Sequence, residues 1–393
     1  MDSIDNGFIQ SIFQAEKDKK NIKLVDYTVS RKAVGDDNNV SSEVSRLYVN
    51  YEKDGKLIKK TYFMKIPSLS PLYSILKRIG IYEKECHMYT TILPEMRRLV
   101  QNEDILSPKC YVSSDSTILI LEDLRESGYK MINRRAQMDF EHASAAIRTL
   151  AEFHALSLKL NETHPEDLNN VKRECFYSPG NNQLIESSYE RLLRVVQRTP
   201  QIQHLHSKLS QLKDHLFDAI VEKTHPRSNA LNVLNHGDYW SNNMLFKKEN
   251  GAIKIKLVDF QLCRWCSPVV DIMFMFMSSV RFEVFEAKRN ELLEIYHDTF
   301  TQWLRSLKCQ ETYSLNELKS DFENAYLVGL NVIAGVLPLV MRKPTDLNLN
   351  NALDDEDNVN DDELTRMYGE EKYVAAVTKW MLFYEKNGLI PVV

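Results

Sequence analysis

The chain has 393 residues, 43% of them hydrophobic and 27% charged, with a formal net charge of -5. This is the balance of a globular protein with a sizeable core, long enough for two lobes or two modest domains. Seven acidic residues fall within 354–363 and leave the remainder near neutral, so the basic face of a nucleic-acid binder is not expected.

Residues 3–18 read as a short amphipathic helix, with no apolar core of signal-peptide length. Residues 23–65 read as strands rich in Val, Ile, Tyr and Thr, with Asp54-Gly55 as a hairpin turn between the last two. A helix over 74–98, ending near Pro94, and two further strands, CYVSS and STILILED, are predicted next. Beyond about residue 124 the pattern turns helical: 138–160, 183–198 and 202–222. A strand-rich island covers 231–260, and helices are expected again over 269–280, 282–307, 315–341 and 368–387. Ser314 and Glu317 fit a capping box. The acidic run reads as a solvated loop, and no internal repeat is present.

Ala325–Met341 is long and apolar, but it is short for a bilayer span and contains Asn331 and Pro338. It reads as a buried helix, so no membrane span is expected. Six cysteines (Cys86, Cys110, Cys175, Cys263, Cys266, Cys309) are scattered without a pattern. They read as reduced thiols of a cytoplasmic protein. Cys263-x-x-Cys266 has no second pair and is not read as a metal site.

Residues 234–271 carry the chemistry. Asp238 lies in His236-Gly237-Asp238, Asn243 follows five residues later, and Asp259 stands 21 residues after Asp238. Phosphoryl transfer needs a carboxylate to orient a hydroxyl and take its proton, and oxygen ligands to hold Mg²⁺ against nucleotide phosphates. Asp238 fits the base, and Asn243 and Asp259 fit the Mg²⁺ ligands. A hairpin turning at Glu249-Asn250-Gly251 would bring Asn243 and Asp259 together. Protein kinases carry H-R-D-x-x-x-x-N and D-F-G in the equivalent places; here the elements are His-Gly-Asp and Asp259-Phe260-Gln261, without the glycine. Asp271 is read as structural support, capping the following helix or bonding the catalytic-loop backbone.

On the nucleotide side, Lys65 at a strand end suits neutralisation of phosphates if a carboxylate positions it. Glu85 is chosen over Glu83, because Tyr82, Glu85 and Tyr89 share one helix face. The loop after Gly35 has one glycine and two carboxylates, a poor match to a glycine-rich loop. Ser41 and Ser42 are its candidate phosphate contacts. Leu119–Leu124 suits an interlobe hinge, with the backbone of Glu122 and Leu124 offered to adenine, and equally suits an ordinary strand end.

These residues resemble the ecdysteroid kinase-like family, allied to choline kinases and aminoglycoside phosphotransferases. The matching positions are Asn39–Arg46, Lys65, Tyr82-x-x-Glu85-x-x-x-Tyr89 with Ile92-Leu93-Pro94, and Leu121–Leu124. Further on they are Leu150-Ala151-x-x-His154-Ala155-x-Ser157, His236-Gly237-Asp238-x-Trp240-x-Asn242-Asn243, Val258–Gln261, Ser267-Pro268 and Asp271. The resemblance implies an α+β, two-lobed protein-kinase-like fold. A small β-rich nucleotide-binding lobe would span 1–123, and a larger helical lobe, holding catalysis and the acceptor, 124–393. It also implies ATP and Mg²⁺ as cofactors and a small hydroxylated acceptor, ecdysteroid or otherwise lipophilic. A choline- or aminoglycoside-type acceptor would call for many carboxylates or an aromatic cage, and a non-catalytic nucleotide binder for loss of Asp238, Asn243 or Asp259. None of these three is lost. The Met- and aromatic-rich helices at 269–285 and 325–341 could line an apolar pocket or be core.

Overall fold

A computed structural model describes residues 6–14, 22–30, 42–67, 79–102, 104–111, 118–178, 182–343 and 361–390. Helix α1 (Asn6–Gln14) precedes strands β1 (Ile22–Ser30), β2 (Ser42–Lys53) and β3 (Lys56–Pro67). Helices α2 (Ile81–His87) and α3 (Leu93–Val100) follow, and β4 (Cys110–Tyr111) and β5 (Leu119–Glu122) complete an antiparallel sheet of order β1-β2-β3-β5-β4. The β2–β3 turn closes at Asp54-Gly55 as expected, and both residues have positive φ.

The rest is helical around two small antiparallel strand pairs, only one of them a hairpin. It contains α4 (Phe140–Thr163), α5 (Asn182–Arg198), α6 (Lys213–Thr224), β6 (Val233–Asn235), β7 (Met244–Glu249), β8 (Ala252–Leu257) and β9 (Arg264–Cys266). It then runs through α7 (Val269–Ser279), α8 (Phe282–Leu307), α9 (Leu315–Glu323), α10 (Tyr326–Gly335), α11 (Leu337–Met341), α12 (Asp361–Tyr368) and α13 (Glu371–Lys386). Short helical turns at Asn169–Lys172 and His206–Gln211 are left unnumbered. This is the two-lobed α+β arrangement expected, a sheet with helices α1 to α3 followed by a larger helical body.

Two cores hold it together. Phe8, Ile9, Ile12 and Phe13 of α1 cover one sheet face, packing with Leu47, Val49, Tyr51, Tyr62 and Met64. The period of two along β3 therefore turns Phe63 and Lys65 to the opposite face. There Tyr89 and its neighbours, with Leu119 and Leu121, join the continuous core of the helical lobe. Every residue of α7 is buried, and most of α10 is too, so these apolar helices are core rather than pocket walls. Among the described residues no helix is long and apolar enough to cross a membrane.

Four helix boundaries differ from expectation. The helix expected over 74–98 starts at Ile81 after Gly80, passes through a π-turn at Met88–Ile92, and runs on to Val100. Residues 74–78 lie outside the described residues. Pro94 does not end the helix; it lies two residues past the π-turn, and the helix continues to Val100. The single helix expected over 315–341 is three, broken at Asn324-Ala325 and at Val336, with Pro338 in a first turn. The 202–222 helix is interrupted at Leu212. The helix expected from 368 starts at Glu371, and residues 361–363 of the acidic run open α12 instead of continuing a loop. The capping box at Ser314 and Glu317 is present in both directions.

Candidate active site

The site forms where β3 and α2 of the first lobe meet the β6–β9 region of the second. Strand β6 runs into His236-Gly237-Asp238, and the β7–β8 hairpin pairs Met244 with Leu257. Register alone thus sets Asn243 beside Val258, and the Val258 N–H donates to the Asn243 carbonyl at 3.0 Å. Asp259 then takes a left-handed backbone (φ 69°, ψ 62°), unusual for a residue with a Cβ. That turn aims its carboxylate at the first lobe.

Asn243 Nδ2 donates to Asp238 twice, to Oδ2 at 2.8 Å and to the carbonyl at 2.9 Å. The amide nitrogen is thereby committed. Its Oδ1 accepts no hydrogen bond among the described residues and is left for a cation. Lys65 Nζ lies 2.7 Å from Glu85 Oε2 and 2.7 Å from Asp259 Oδ1, one ammonium bridging the two lobes. Glu85 is buried and Glu83 exposed, as the shared face with Tyr82 and Tyr89 requires.

Burial works against the charge of Lys65, but Asp259 and Glu85 outweigh it and hold the ammonium above its ordinary range. Burial, with the charge of Asp259, pushes the Glu85 carboxyl up despite Lys65. Half-buried Asp238 is pushed up to about 7, by burial first and Asp259 second, against the hydrogen bond from Asn243.

The His236-Gly237-Asp238 loop is held from below. Asp271, on α7, accepts from the backbone N–H of His236 at 2.6 Å and of Gly237 at 3.0 Å. His154 Nε2 approaches the same carboxylate at 3.4 Å while its Nδ1 meets Tyr296 Oη at 2.8 Å. Asp271, in the first turn of α7, is thus the acceptor for the loop backbone and not the cap of its helix, whose N-cap residue is Pro268. Burial would raise its carboxyl, but His154, His236 and the Gly237 amide together hold it below the usual range. Phe260 packs against His236 and Tyr89, with ring centroids 4.7 and 5.5 Å apart, and so joins the loop to α2. Gly237 has φ 83°, and a Cβ there would lie 1.9 Å from the Leu262 carbonyl oxygen.

The remaining candidates are placed less closely. Ser41 and the side chain of Ser42 lie outside the described residues. The Glu122 N–H donates to the Lys109 carbonyl, and its carboxylate accepts from Lys109 N and Ser127 Oγ. Only its carbonyl is left to offer a base. The Leu124 carbonyl accepts from Tyr129 N at 3.0 Å, and its own N–H meets no acceptor among the described residues. Cys263 and Cys266 are buried thiols that burial pushes up.

Among the described residues no group of three or more His, Cys, Asp or Glu could hold a metal. Mg²⁺ takes oxygen donors and needs only one or two from protein. The free Oδ1 of Asn243 and the carboxylate of Asp259, one residue beyond Asn243's backbone partner, fit that requirement.

Sequence reasoning missed three buried charged residues beside the site: Lys84, Glu174 and Arg264. They lie at separations with no periodic or motif signal. The one trace is a basic residue within the short strand Arg264-Trp265-Cys266.

No curated protein matches the chain. Among solved structures, an ethanolamine kinase from Plasmodium vivax aligns at TM-score 0.42 and 13% identity, covering 94% of this chain and 85% of that one. A microcompartment-associated aminopropanol kinase aligns at TM-score 0.39 and 12% identity, over 99% of this chain and 100% of that one. A glucosamine kinase in complex with glucosamine, ADP and inorganic phosphate aligns at 0.34 and 11%, over 84% and 79%. The sequence model of the ecdysteroid kinase-like family matches residues 36–309, well over half the chain, and the protein belongs to that family.

Proposed function

We propose that the protein is an ATP- and Mg²⁺-dependent kinase that phosphorylates a hydroxyl of a small, lipophilic acceptor, an ecdysteroid or another hydroxylated compound. The observation that carries this reading is the joining of two constellations: Asp238 tied to Asn243, and Lys65 bridging Glu85 and Asp259. Family membership supports the reaction class, and the family's description supports the acceptor class.

In this reading Asp238 orients the acceptor hydroxyl and takes its proton. Asn243 holds the Asp238 carboxylate through its amide nitrogen, and its Oδ1 with the Asp259 carboxylate would hold Mg²⁺. Bound Mg²⁺ supplies charge neutralisation at the phosphates. Glu85 keeps Lys65 extended, and Lys65 presents its ammonium to the nucleotide. The Leu124 N–H and the Glu122 carbonyl would hold adenine, and Ser41 and Ser42 the phosphates. The lobe boundary falls at 123/124, where the sheet ends.

The test is turnover with Mg-ATP across ecdysteroids and other steroids, amino-alcohols and glycosides, with Asp238→Ala alongside. Phosphorylation of a steroid hydroxyl, lost by about 10³-fold or more in Asp238→Ala, is expected. Turnover confined to amino-alcohols or glycosides overturns the acceptor class. No turnover on any acceptor, with Asp238→Ala indistinguishable, overturns the kinase reading. Lys65→Met, folded, should weaken nucleotide binding by about tenfold or more in calorimetry.

A further inference from the structure

Two buried cations that the mechanism above does not use meet the same short segment. Lys84 precedes Glu85 on α2. Its ammonium donates to the carbonyls of Arg173 at 2.6 Å and Cys263 at 2.7 Å, and approaches Cys175 Sγ at 3.4 Å. It is 4% exposed and has no carboxylate partner among the described residues. Burying an ammonium is costly unless fixed acceptors replace its water. Here the acceptors are carbonyls from two distant stretches of chain. The helix cannot shift without stripping that charge.

Arg264 is the second cation, its side chain 2% exposed. Its Nε lies 3.0 Å from Glu174 Oε2. Its Nη2 donates to the Gly237 carbonyl at 3.2 Å, and Nε and Nη2 both reach the Leu262 carbonyl at 3.3 Å. The guanidinium stands 4.8 Å over the ring of Tyr177. Glu174 in turn accepts the N–H groups of Phe176 and Tyr177 at 2.5 and 2.8 Å, which folds the segment into a turn. Tyr177 Oη accepts from Asn331 Nδ2 at 3.1 Å, anchoring that turn to α10.

We propose that residues 173–177 form a strap, gripped by Lys84 at one end and Arg264 at the other, that couples the position of the Glu85 helix to that of the Gly237-Asp238 loop. Lys84 and Arg264 are positioning residues. One links the strap to α2 and to Cys263, four residues past Asp259; the other links it to the loop carbonyl that precedes Asp238. The strap makes the two halves of the site move as one body. Its kinetic consequence rests on the function proposed above; its mechanical consequence does not.

The experiment is amide hydrogen exchange by mass spectrometry on the full chain, with Arg264→Lys and Lys84→Met. Arg264→Lys keeps the charge facing Glu174 and loses the fork to Gly237 and Leu262. Exchange is expected to quicken by about tenfold or more in residues 236–243 and also in 81–87, with the global unfolding midpoint little changed. Lys84→Met should loosen the same two segments from the other end, and the double variant should add little to either single. Kinetically, Arg264→Lys should lower kcat by about tenfold or more while the KM for ATP stays within about threefold. Changes confined to 262–266 in one variant and to 81–87 in the other overturn the strap. If Arg264→Lys does not fold, Glu174→Gln takes its place and is judged on the same two segments. A wild-type protein that phosphorylates no acceptor removes the kinase reading, and the exchange pattern still decides the strap.

Discussion

Replacing Asp271 by Asn isolates the support beneath the His236-Gly237-Asp238 loop. The carboxylate is fully buried and accepts two backbone N–H bonds, at 2.6 and 3.0 Å, with His154 against one of the same oxygens. Asn has nearly the same shape but only one acceptor oxygen. Its amide nitrogen must face the His236 or the Gly237 N–H, or the imidazole. One charge-assisted bond is lost, about 1.5–3 kcal/mol, and a buried donor is left facing a donor, about 1–3 kcal/mol more. A destabilisation of about 2.5–6 kcal/mol follows, measured by urea unfolding at pH 7 against wild type. The pH dependence has a definite sign. The Asp271 carboxyl lies below its ordinary range in the folded protein, so its contribution is present above the unfolded-state pKa and is lost as pH falls through the folded one. The gap between wild type and Asp271→Asn should therefore narrow in acid. A loss below about 1 kcal/mol at pH 7, or a gap that widens in acid, would refute the reasoning.

Gly237→Ala should cost about 3 kcal/mol or more, because φ 83° disfavours a Cβ and the added atom meets the Leu262 carbonyl oxygen at 1.9 Å. The same denaturation assay checks it, and a near-neutral result would mean that the loop shifts freely. Glu152, on α4, is pushed up to about 7 by burial, with Lys256 opposing. Its protonated form is favoured in the folded state, so its contribution is present below the unfolded-state pKa and is lost as pH rises through about 7. Glu152→Gln should gain about 2 kcal/mol over wild type at pH 8, allowing for partial exposure, and under about 1 kcal/mol at pH 5. Equal differences at both pH values in parallel melts would exclude Glu152 as the cause.

What could be read from the sequence was local. The Asp54-Gly55 and Asn250-Gly251 turns, the capping box at Ser314 and the strand character of the Val-, Ile-, Tyr- and Thr-rich segments flanking Asp54-Gly55 depend on a few neighbouring residues, and all appear in the fold. The preference for Glu85 over Glu83 needed only helical periodicity. The placing of Asn243 against Val258, next to Asp259, needed only a hairpin between them. Helix interruptions were not legible, because a π-turn before Pro94 and breaks at Leu212 and Val336 arise from packing within otherwise helical runs. The bridge from Lys65 to Asp259 spans 194 residues, the contact of Lys84 with Cys263 spans 179, and that of Arg264 with Gly237 spans 27 and follows from the pairing of β6 with β9. A buried cation requires acceptors, but which acceptors reach it depends on how the lobes pack. The sequence by itself thus determined which residues are the candidates for the proposed chemistry; only the tertiary structure decided which charges hold them in place, because that depends on contacts between residues far apart in the chain.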